Sequence, residues 1–538
     1  MTTKNSRRLL FALILTVSGA ACAPRRPAAP VPTPTPTPEE KLPVPTAPAP
    51  LPTPNTALPP VPHVTGPLQI KVVYPTSGQL IQSKDSNFIF GSVGNGDAAL
   101  TINGVPTPVW PNGAFMGWLP IPPADQPRYD LVAAVGSDVA RATLPVKIQP
   151  QPTTPPQPDT AQFLTPAQYA TLIGPATYAT DTDRVVTAYR TTGGADRWFL
   201  FPGVGVKVLG YKGINGIVEL DNGDTAYIEK TDLKMIPGAP APAVRTAKAF
   251  TVVPSQEYVD VNIPMSERPA HLVEESQSTI TLTLYGTTGA PQNAATLPAS
   301  SYVSSVSAAA SGPQMRYTFS LRGPAYGYLA VWRDSVLTFR IRRPPTIDPV
   351  DPLKGLTIAI DPGHPPVGAT GPTGLWEPVG TLAVGLKVRE MLAARGVNVL
   401  MTRTDSLPVD LNLRGTMARR GNAHAMVSIH FNALPDGQNP FVEQGTTTFY
   451  FYSQAEPLAR ATHQSLLTEL GLPDKGVVRR NLAVVRPTWM PAILCEGAFI
   501  MMPDQEAAIR TPEYQARYAR GIVQGLENYF RTLGQAAH

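Results

Sequence analysis

The hydrophobic pattern of the chain changes near residue 352, and this change limits the folds that its C-terminal part can adopt. Upstream, short alternating runs between turn residues predict β-strands alone. Downstream, apolar runs such as Leu356–Ile360 alternate with helical repeats such as Val379–Arg395. Strands that alternate with helices build mostly parallel sheets covered by helices. We therefore predict an α/β domain with a mostly parallel sheet flanked by helices over residues 350–538, preceded by small all-β modules.

The same periodicity predicts the other elements of this domain. Gly396 ends the first helix, because glycine tolerates the backbone conformation that follows a helix. Further strands are predicted over Val397–Met401, Met426–Ile429, Thr446–Tyr452 and Ala492–Cys495, and further helices over Val409–Arg420, Gln454–Leu470 and Glu513–Leu533.

A chain of 538 residues is too long for one core, so the upstream part is expected to form separate modules. Asn-Gly turns such as Asn95-Gly96 between alternating runs indicate antiparallel strands. Residues 66–148 resemble an immunoglobulin-like β-sandwich, residues 175–236 resemble a bacterial SH3-like barrel, and residues 245–345 are predicted to be a β-rich accessory module.

The N-terminus predicts export. Basic residues, the apolar run Leu9–Val17 and a stretch of small residues form a signal peptide over residues 1–22, and the run is too short for a membrane-spanning helix. The small residues before Cys22 resemble a lipoprotein signal, in which Cys22 is lipidated and anchors the chain to a membrane. The alternative is cleavage near Ala21 or Ala23, which releases a soluble protein. Either way we expect a location in the periplasm or cell envelope.

Prolines make the connecting segments unsuitable for a core. The chain has 62 prolines, many of them in residues 23–65, which we predict to be a Pro/Thr-rich linker. Residues 149–174 are predicted to be a second linker. The net charge of +5 is mild and spread along the chain, which predicts no nucleic-acid partner. With only two cysteines, Cys22 and Cys495, the chain cannot form a disulfide framework. We also expect the protein to be a monomer.

Polar residues follow three strands of the C-terminal domain where each strand ends. His364 follows the first strand, His430 follows another, and Glu496 follows a third. Sites in open α/β sheets form outside the carboxyl ends of the strands, so these residues are expected to converge. Glu377, just before a predicted helix, can reach inward beside His364.

Two imidazoles and a carboxylate are a standard catalytic zinc set, with one position left for water. Such a site also needs a carboxylate that binds no metal and transfers protons. Glu496 fits this role, because it follows an apolar run whose burial should raise its pKa.

The C-terminal domain contains a series of short motifs in a fixed order: Ile360-Asp-Pro-Gly-His364, Thr402-Arg-Thr-Asp405, Leu413-Arg414, Met417-Ala-Arg-Arg-Gly-Asn422, Val427-Ser-Ile-His-Phe-Asn-Ala433, Pro491-Ala-Ile-Leu-Cys-Glu-Gly-Ala-Phe499 and Pro512-Glu-Tyr514. By these motifs the domain resembles the zinc-dependent N-acetylmuramoyl-L-alanine amidases. The resemblance implies that His364, Glu377 and His430 bind Zn²⁺, that Glu496 is the catalytic carboxylate, and that the substrate is bacterial peptidoglycan, cut between N-acetylmuramic acid and L-alanine. The accessory module over 245–345 resembles N-terminal domains of some amidases.

The chain departs from the family pattern at Pro365-Pro366, where relatives usually carry two glycines. The departure motivates an alternative, a peptidoglycan-binding envelope protein that has lost turnover. A zinc peptidase acting on the stem peptides is a further alternative. We expect Arg403 and Arg414 to be structural ion-pair partners and His424 to lie at a helix–strand corner. No catalytic role is expected for the remaining histidines, His63, His271, His463 and His538.

The connection after His430 is short. Only residues 433–445 separate it from the next strand, too few for a helix that blocks the site together with its connections. We therefore predict an open groove whose activity needs no activator protein.

Overall fold

The computed structural model describes residues 42–53, 55–149, 160–173, 185–192, 196–221, 223–239 and 242–536. The predicted signal peptide with Cys22, much of the first predicted linker, and His538 lie outside the described residues. The described residues from Leu42 onward belong to one compact unit.

The first group of strands, over residues 71–148, forms two packed sheets whose central strands are buried along most of their length. A three-stranded sheet of order β1-β3-β6 and a four-stranded sheet of order β5-β4-β7-β8 share a core that includes Ile89, Leu100, Phe115 and Leu131. The strands are β1 (Lys71–Tyr74), β2 (Leu80–Ile81), β3 (Ser86–Ser92), β4 (Ala99–Ile102), β5 (Val105–Thr107), β6 (Ala114–Pro120), β7 (Arg128–Val135), β8 (Asp138–Pro145) and β9 (Lys147–Ile148).

A seven-stranded antiparallel sheet of order β12-β11-β15-β14-β13-β10-β16 follows. Its first strand, β10, falls inside the segment that we predicted to be a linker over 149–174, and this prediction is wrong for residues 162–172. The residues at the start of β10 are mostly exposed, but Ala170 and Leu172 at its end are buried. The strands are β10 (Gln162–Leu172), β11 (Val186–Tyr189), β12 (Asp196–Leu200), β13 (Gly205–Lys212), β14 (Asn215–Asp221), β15 (Asp224–Glu229) and β16 (Leu233–Met235).

The third group of strands shares a single hydrophobic core with the second. The indole nitrogen of Trp198 donates to the hydroxyl of Tyr285 across this boundary, at 3.1 Å. The two sets were predicted as separate modules, and their common core makes them one packing unit. The strands are β17 (Arg245–Ala247), β18 (Thr251–Pro254), β19 (Tyr258–Pro264), β20 (His271–Glu275), β21 (Thr279–Leu284), β22 (Thr287–Gly289), β23 (Gln292–Thr296), β24 (Val303–Ser311), β25 (Gln314–Leu321), β26 (Gly327–Arg333) and β27 (Val336–Arg342).

The C-terminal domain contains a six-stranded sheet of order β29-β28-β30-β33-β31-β32. The sheet, predicted to be mostly parallel, is mixed, because β31 runs antiparallel to β33 while the other neighbours are parallel. Its strands are β28 (Thr357–Pro362), β29 (Asn398–Met401), β30 (Ala425–Asn432), β31 (Thr446–Tyr450), β32 (Asp474–Arg479) and β33 (Ala492–Phe499), and its helices are α1 (Glu377–Ala393), α2 (Leu411–Arg420), α3 (Glu456–Leu470), α4 (Pro503–Ile509) and α5 (Pro512–Ala536).

Both faces of this sheet are covered. Alternate residues of β28, β30 and β33 pack on one face against α1, α3 and α5. The other face packs against α2, a 3₁₀ turn over Ala483–Val485, and Leu329 of β26. We expected helices alone to cover the sheet, but Leu329, from a strand of the preceding module, also covers part of this face.

The first group of strands also contacts the C-terminal domain. Phe88, Phe90 and Met116 pack with Phe499, the last residue of the strand that carries Glu496, and with Met501 just beyond it. None of the described helices is long and apolar enough to cross a bilayer.

Candidate metal centre

His364 lies in the turn that follows β28, and buried arginines hold this turn. Arg403 donates to the carbonyls of Pro362 and Gly363 at 2.8 and 2.9 Å. Arg414 donates to the carbonyls of His364 and Pro365 at 3.0 and 3.3 Å. His364 has φ +61°, a conformation that costs free energy in a residue with a side chain and needs such support.

Asp361, fully buried at the end of β28, organises the region under the turn. Its carboxylate accepts from the hydroxyls of Thr402 and Ser428 at 2.5 and 2.6 Å and pairs with Arg414 at 2.7 Å. Arg414 therefore forms the predicted ion pair, whereas Arg403 binds backbone carbonyls instead.

His430 extends from the end of β30, beside the His364 turn. Gly363 donates its N–H to the carbonyl of Ile429 at 2.9 Å, which brings the two strand ends together. A Cβ on Gly363 would lie 2.3 Å from the His430 ring, so only glycine fits here. The ring centroids of His364 and His430 are 4.8 Å apart.

Glu377 is the first residue of α1 and is buried between the histidines. One carboxylate oxygen lies 3.2 Å from His364 Nε2, and the other lies 3.2 Å from His430 Nδ1. The backbone N–H groups of Ala369 and Phe431 donate to the same oxygens at 3.0 and 3.1 Å. Burial alone would raise the pKa of Glu377, but the hydrogen bonds and charges of the two histidines outweigh it and hold the pKa well below its usual range.

The structure thus brings His364, Glu377 and His430 into one cluster, with one ligand atom from each residue within 4.8 Å of the others. The side chains of His364 and His430 are 22% and 15% exposed, against 4% for Glu377. The cluster is therefore anchored on its buried side and open to solvent on the other.

Glu496 stands beside this cluster on the neighbouring strand. It is in register with His430 across the parallel pair of β30 and β33, so the two side chains leave the sheet on the same side. Its Oε2 is buried and has no hydrogen-bond partner in the described part of the chain. Burial, with a smaller effect from the charge of Glu377, raises the pKa of Glu496 well above its usual range.

The cluster fits a divalent transition metal. Two imidazoles and one carboxylate are the donors of catalytic zinc sites, and ligand atoms around tetrahedral zinc are about 3.3 Å apart, close to the distances from Glu377 to each histidine. In metal sites, hydrogen bonds from groups that do not bind the metal keep the ligands in position. The backbone N–H groups that donate to Glu377 hold its carboxylate in the same way.

Comparison with known proteins shows the family of the C-terminal domain. Residues 358–528 match the family model described as N-acetylmuramoyl-L-alanine amidase. The germination-specific N-acetylmuramoyl-L-alanine amidase of Bacillus subtilis is 30% identical over 202 residues, which cover 34% of this chain and 83% of the relative. The chain belongs to the N-acetylmuramoyl-L-alanine amidase family.

Other relatives match over the same domain. The "Probable cell wall amidase LytH" of Staphylococcus epidermidis is 31% identical over 184 residues, which cover 34% of this chain and 60% of the relative's length. A solved structure of the amidase AmiC2 of Nostoc punctiforme is 31% identical, with 33% of this chain and 98% of that chain covered and a TM-score of 0.31.

In this amidase-family domain, sequence reasoning missed the residue that holds the loop before Glu377. Glu506 of α4 is fully buried and accepts from the backbone N–H groups of Thr373 and Leu375 at 2.8 and 2.9 Å. A Cβ on Gly371 would lie 2.5 Å from this carboxylate. No spacing signal separates Glu506 from an ordinary surface glutamate of a short helix, so only the fold reveals the contact.

The loop after His430 is held by the first group of strands. Asp436 accepts from Tyr74, from the side chain of Asn87 at 2.9 Å and from the backbone N–H of Gln82 at 2.9 Å. No helix forms over residues 433–445, all of which the structure describes. The absence of a blocking helix from this connection agrees with the prediction from its length.

The other histidines lie away from the cluster. His424 lies between α2 and β30, where its Nδ1 accepts from the backbone N–H of Thr357 at 2.9 Å. His463 contacts Asp474 and Thr448, and His63 contacts Asp97. Cys495 is a buried free thiol whose pKa is raised by burial.

Proposed function

We propose that the protein is a zinc-dependent N-acetylmuramoyl-L-alanine amidase that hydrolyses the amide between N-acetylmuramic acid and L-alanine in peptidoglycan. The observation that carries the proposal is the cluster of His364, Glu377 and His430 with the unpartnered Glu496 beside it. Family membership supports the same reaction class.

His364, Glu377 and His430 would hold the zinc ion. A zinc ion bound there supplies Lewis-acid polarisation of the amide carbonyl and activation of water. The backbone donors of Ala369 and Phe431 keep Glu377 in place, while Arg403 and Arg414 keep the His364 turn in place.

Glu496 is assigned the proton transfers. Hydrolysis adds water to the carbonyl carbon and breaks the C–N bond, so one proton must move from the water to the leaving amine of L-alanine. Glu496 Oε2 is suited to accept and return that proton, because it is buried beside the cluster and none of the described residues hydrogen-bonds to it. Its raised pKa favours the protonated form that must donate to the amine.

Location follows from the substrate. Peptidoglycan lies outside the cytoplasm, and the basic, apolar and small-residue segments of residues 1–22 support export to the periplasm or cell envelope. Lipidation of Cys22 would anchor the monomeric enzyme to a membrane. The β-rich part of the chain would then carry the amidase domain within reach of the wall.

The test is a product analysis. Purified sacculi are digested by the full chain without an added activator, and the soluble products are identified by mass spectrometry. The proposal expects free stem peptides beginning with L-alanine, unsubstituted glycan, and no such products from Glu496→Ala. Shortened stems would indicate a peptidase, and binding without products would indicate an envelope-binding protein; either result contradicts the proposal.

A further inference from the structure

A cavity of about 800 Å³ lies where three parts of the molecule meet. Its walls come from β12 of the seven-stranded sheet, from β20 and β26 of the next group of strands, and from the segment that follows β31 in the amidase domain. None of the four residues of the candidate metal centre lines it. Its volume falls in the range of small-molecule sites, about 300–1,000 Å³.

Polar atoms without partners lie in the wall of this cavity. His271 Nδ1 and Glu275 Oε1 are buried, and neither has a hydrogen-bond partner among the residues that the structure describes. The other oxygen of Glu275 accepts from the hydroxyl of Ser453 at 2.6 Å, so the carboxyl group is held in a fixed position. Because buried polar atoms nearly always have partners, these two atoms indicate that a ligand supplies the missing hydrogen bonds.

The charges around the cavity favour an anionic ligand. Within the described part of the chain, four arginines line the cavity, against three glutamates. Glu274 lies 3.8 Å from Arg197, and Glu456 pairs with Arg460 at 2.5 Å. The four arginines are Arg190, Arg197, Arg479 and Arg486.

Two of these arginines are suited to bind a carboxylate. Arg190 is exposed and makes no ion pair within the described residues. Arg479 donates to the carbonyl of Phe451 at 2.9 Å and lies 5.1 Å from the centre of the Phe451 ring. After donating to one carbonyl, the Arg479 guanidinium still has N–H groups that can donate to a ligand. The fork of its N–H groups matches the two oxygens of a carboxylate.

Aromatic rings provide the apolar part of the wall. Phe199 and Phe451 make an edge-to-face contact with ring centroids 5.3 Å apart, and Tyr328 and Tyr452 line the cavity beside them. Flat rings beside hydrogen-bonding groups suit a ligand with both apolar faces and polar edges. A pyranose ring that carries a peptide has this character.

We propose that this cavity is a second, non-catalytic binding site for a soluble, carboxylate-bearing sugar–peptide fragment of peptidoglycan. The choice of ligand rests on the proposed function, whereas the site itself rests on the unpartnered polar atoms, the arginines and the aromatic rings. A ligand here would contact all three parts of the chain at once, so its binding would stabilise their arrangement.

The test measures binding where the metal centre cannot contribute. The full chain with His364→Ala and His430→Ala is titrated calorimetrically with N-acetylglucosaminyl–N-acetylmuramyl tetrapeptide. We expect one binding site per chain. Adding Arg190→Gln and Arg479→Gln should weaken binding by about tenfold or more, because each charge-assisted hydrogen bond lost is strong. N,N′-diacetylchitobiose, which lacks carboxylates, should also bind at least about tenfold more weakly.

A matched control removes the same charge elsewhere. Arg333→Gln with Arg389→Gln changes two exposed arginines that do not line the cavity, and binding should stay within about twofold. Unfolding temperatures without ligand confirm that each variant is folded. No binding to the variant without the metal ligands, or equal affinity in the two arginine pairs, would overturn the inference. Hydrolysis by the parent chain is measured separately, so failure of the proposed function would be seen independently.

Discussion

At the residue scale, the centre depends on the close approach of Gly363 to the His430 ring. Gly363→Ala would place a Cβ 2.3 Å from the ring, so the His430 ring or the turn that carries His364 must shift and the ligand geometry must change. We expect zinc affinity, measured by competition with a chelator, to fall by about tenfold to a hundredfold. Gly205→Ala is the control, because its nearest neighbour would be 3.8 Å away. Unchanged affinity in Gly363→Ala would show that the ring position does not limit metal binding.

His424 makes a separate residue-scale prediction about acid stability. Burial, assisted by the charge of Arg342, lowers the pKa of His424 to about 4. The histidine of the unfolded chain titrates near 6.5, so between these values the unfolded chain binds a proton that the folded chain does not. The stability that neutral His424 provides is therefore complete above pH 6.5 and is lost as the pH falls towards 4.

The size of this loss can be measured. At about 1.4 kcal/mol per pKa unit, the contribution of His424 reaches about 3 kcal/mol at full loss. Thermal unfolding at several pH values between 7.5 and 4 should show a steeper decline for the parent chain than for His424→Gln. Parallel curves for the two proteins would contradict the assignment.

At the scale of elements, α4 fixes the loop that precedes Glu377. In Glu506→Gln one acceptor becomes an amide N–H₂, which faces a backbone N–H of Thr373 or Leu375. We expect the loop to loosen, zinc affinity to fall about tenfold, and the unfolding temperature to decrease. Glu390→Gln, an exposed residue of α1, should change neither quantity. If Glu506→Gln lowers the unfolding temperature but leaves zinc affinity unchanged, the hydrogen bonds of Glu506 stabilise the loop without affecting metal binding, and the prediction is wrong.

The elements show how far sequence reasoning reaches. Helical periodicity located α1, α3 and α5, and the apolar runs located β28, β30 and β33, because burial on a sheet or helix face leaves a regular pattern. The edge strand β32 was missed, because Gly476 and the exposed ends of the strand give it no apolar pattern. The short helix α4 was also missed, since seven residues are too few to show a period.

The convergence of the site was predictable for a related reason. His364 follows β28, while His430 and Glu496 lie near the carboxyl ends of β30 and β33. The carboxyl ends of these parallel strands meet at one edge of the sheet. The supports of the site were not predictable, because Glu506 and Asp436 act through backbone groups far away in sequence.

At the scale of the whole molecule, the first group of strands supports the amidase domain beside its active centre. Asp436 in the loop after His430 accepts hydrogen bonds from Tyr74, Asn87 and the backbone of Gln82. In Asp436→Asn an amide N–H₂ would face one of these donors. The lost hydrogen bonds would lower the free energy of unfolding by about 2 kcal/mol. We expect faster proteolysis within residues 433–445.

Asp125→Asn is the matched control, because Asp125 is exposed in the same group of strands. Equal cleavage rates in the Asp436 and Asp125 variants would show that the contact does not order the loop. The apolar contact of Phe88 and Phe90 with Phe499 and Met501 also argues for assays on the full chain, since the isolated amidase domain would expose this surface.

The metal content of the purified full chain tests the central claim most directly. Elemental analysis should find about one zinc ion per chain in the parent and in Glu496→Ala, with turnover lost only in the latter, since Glu496 is assigned to proton transfer and not to the ligand set. His430→Ala should lose most of the metal and the turnover together. Full metal occupancy in His430→Ala, or undiminished hydrolysis by metal-free protein, would contradict a centre built from His364, Glu377 and His430.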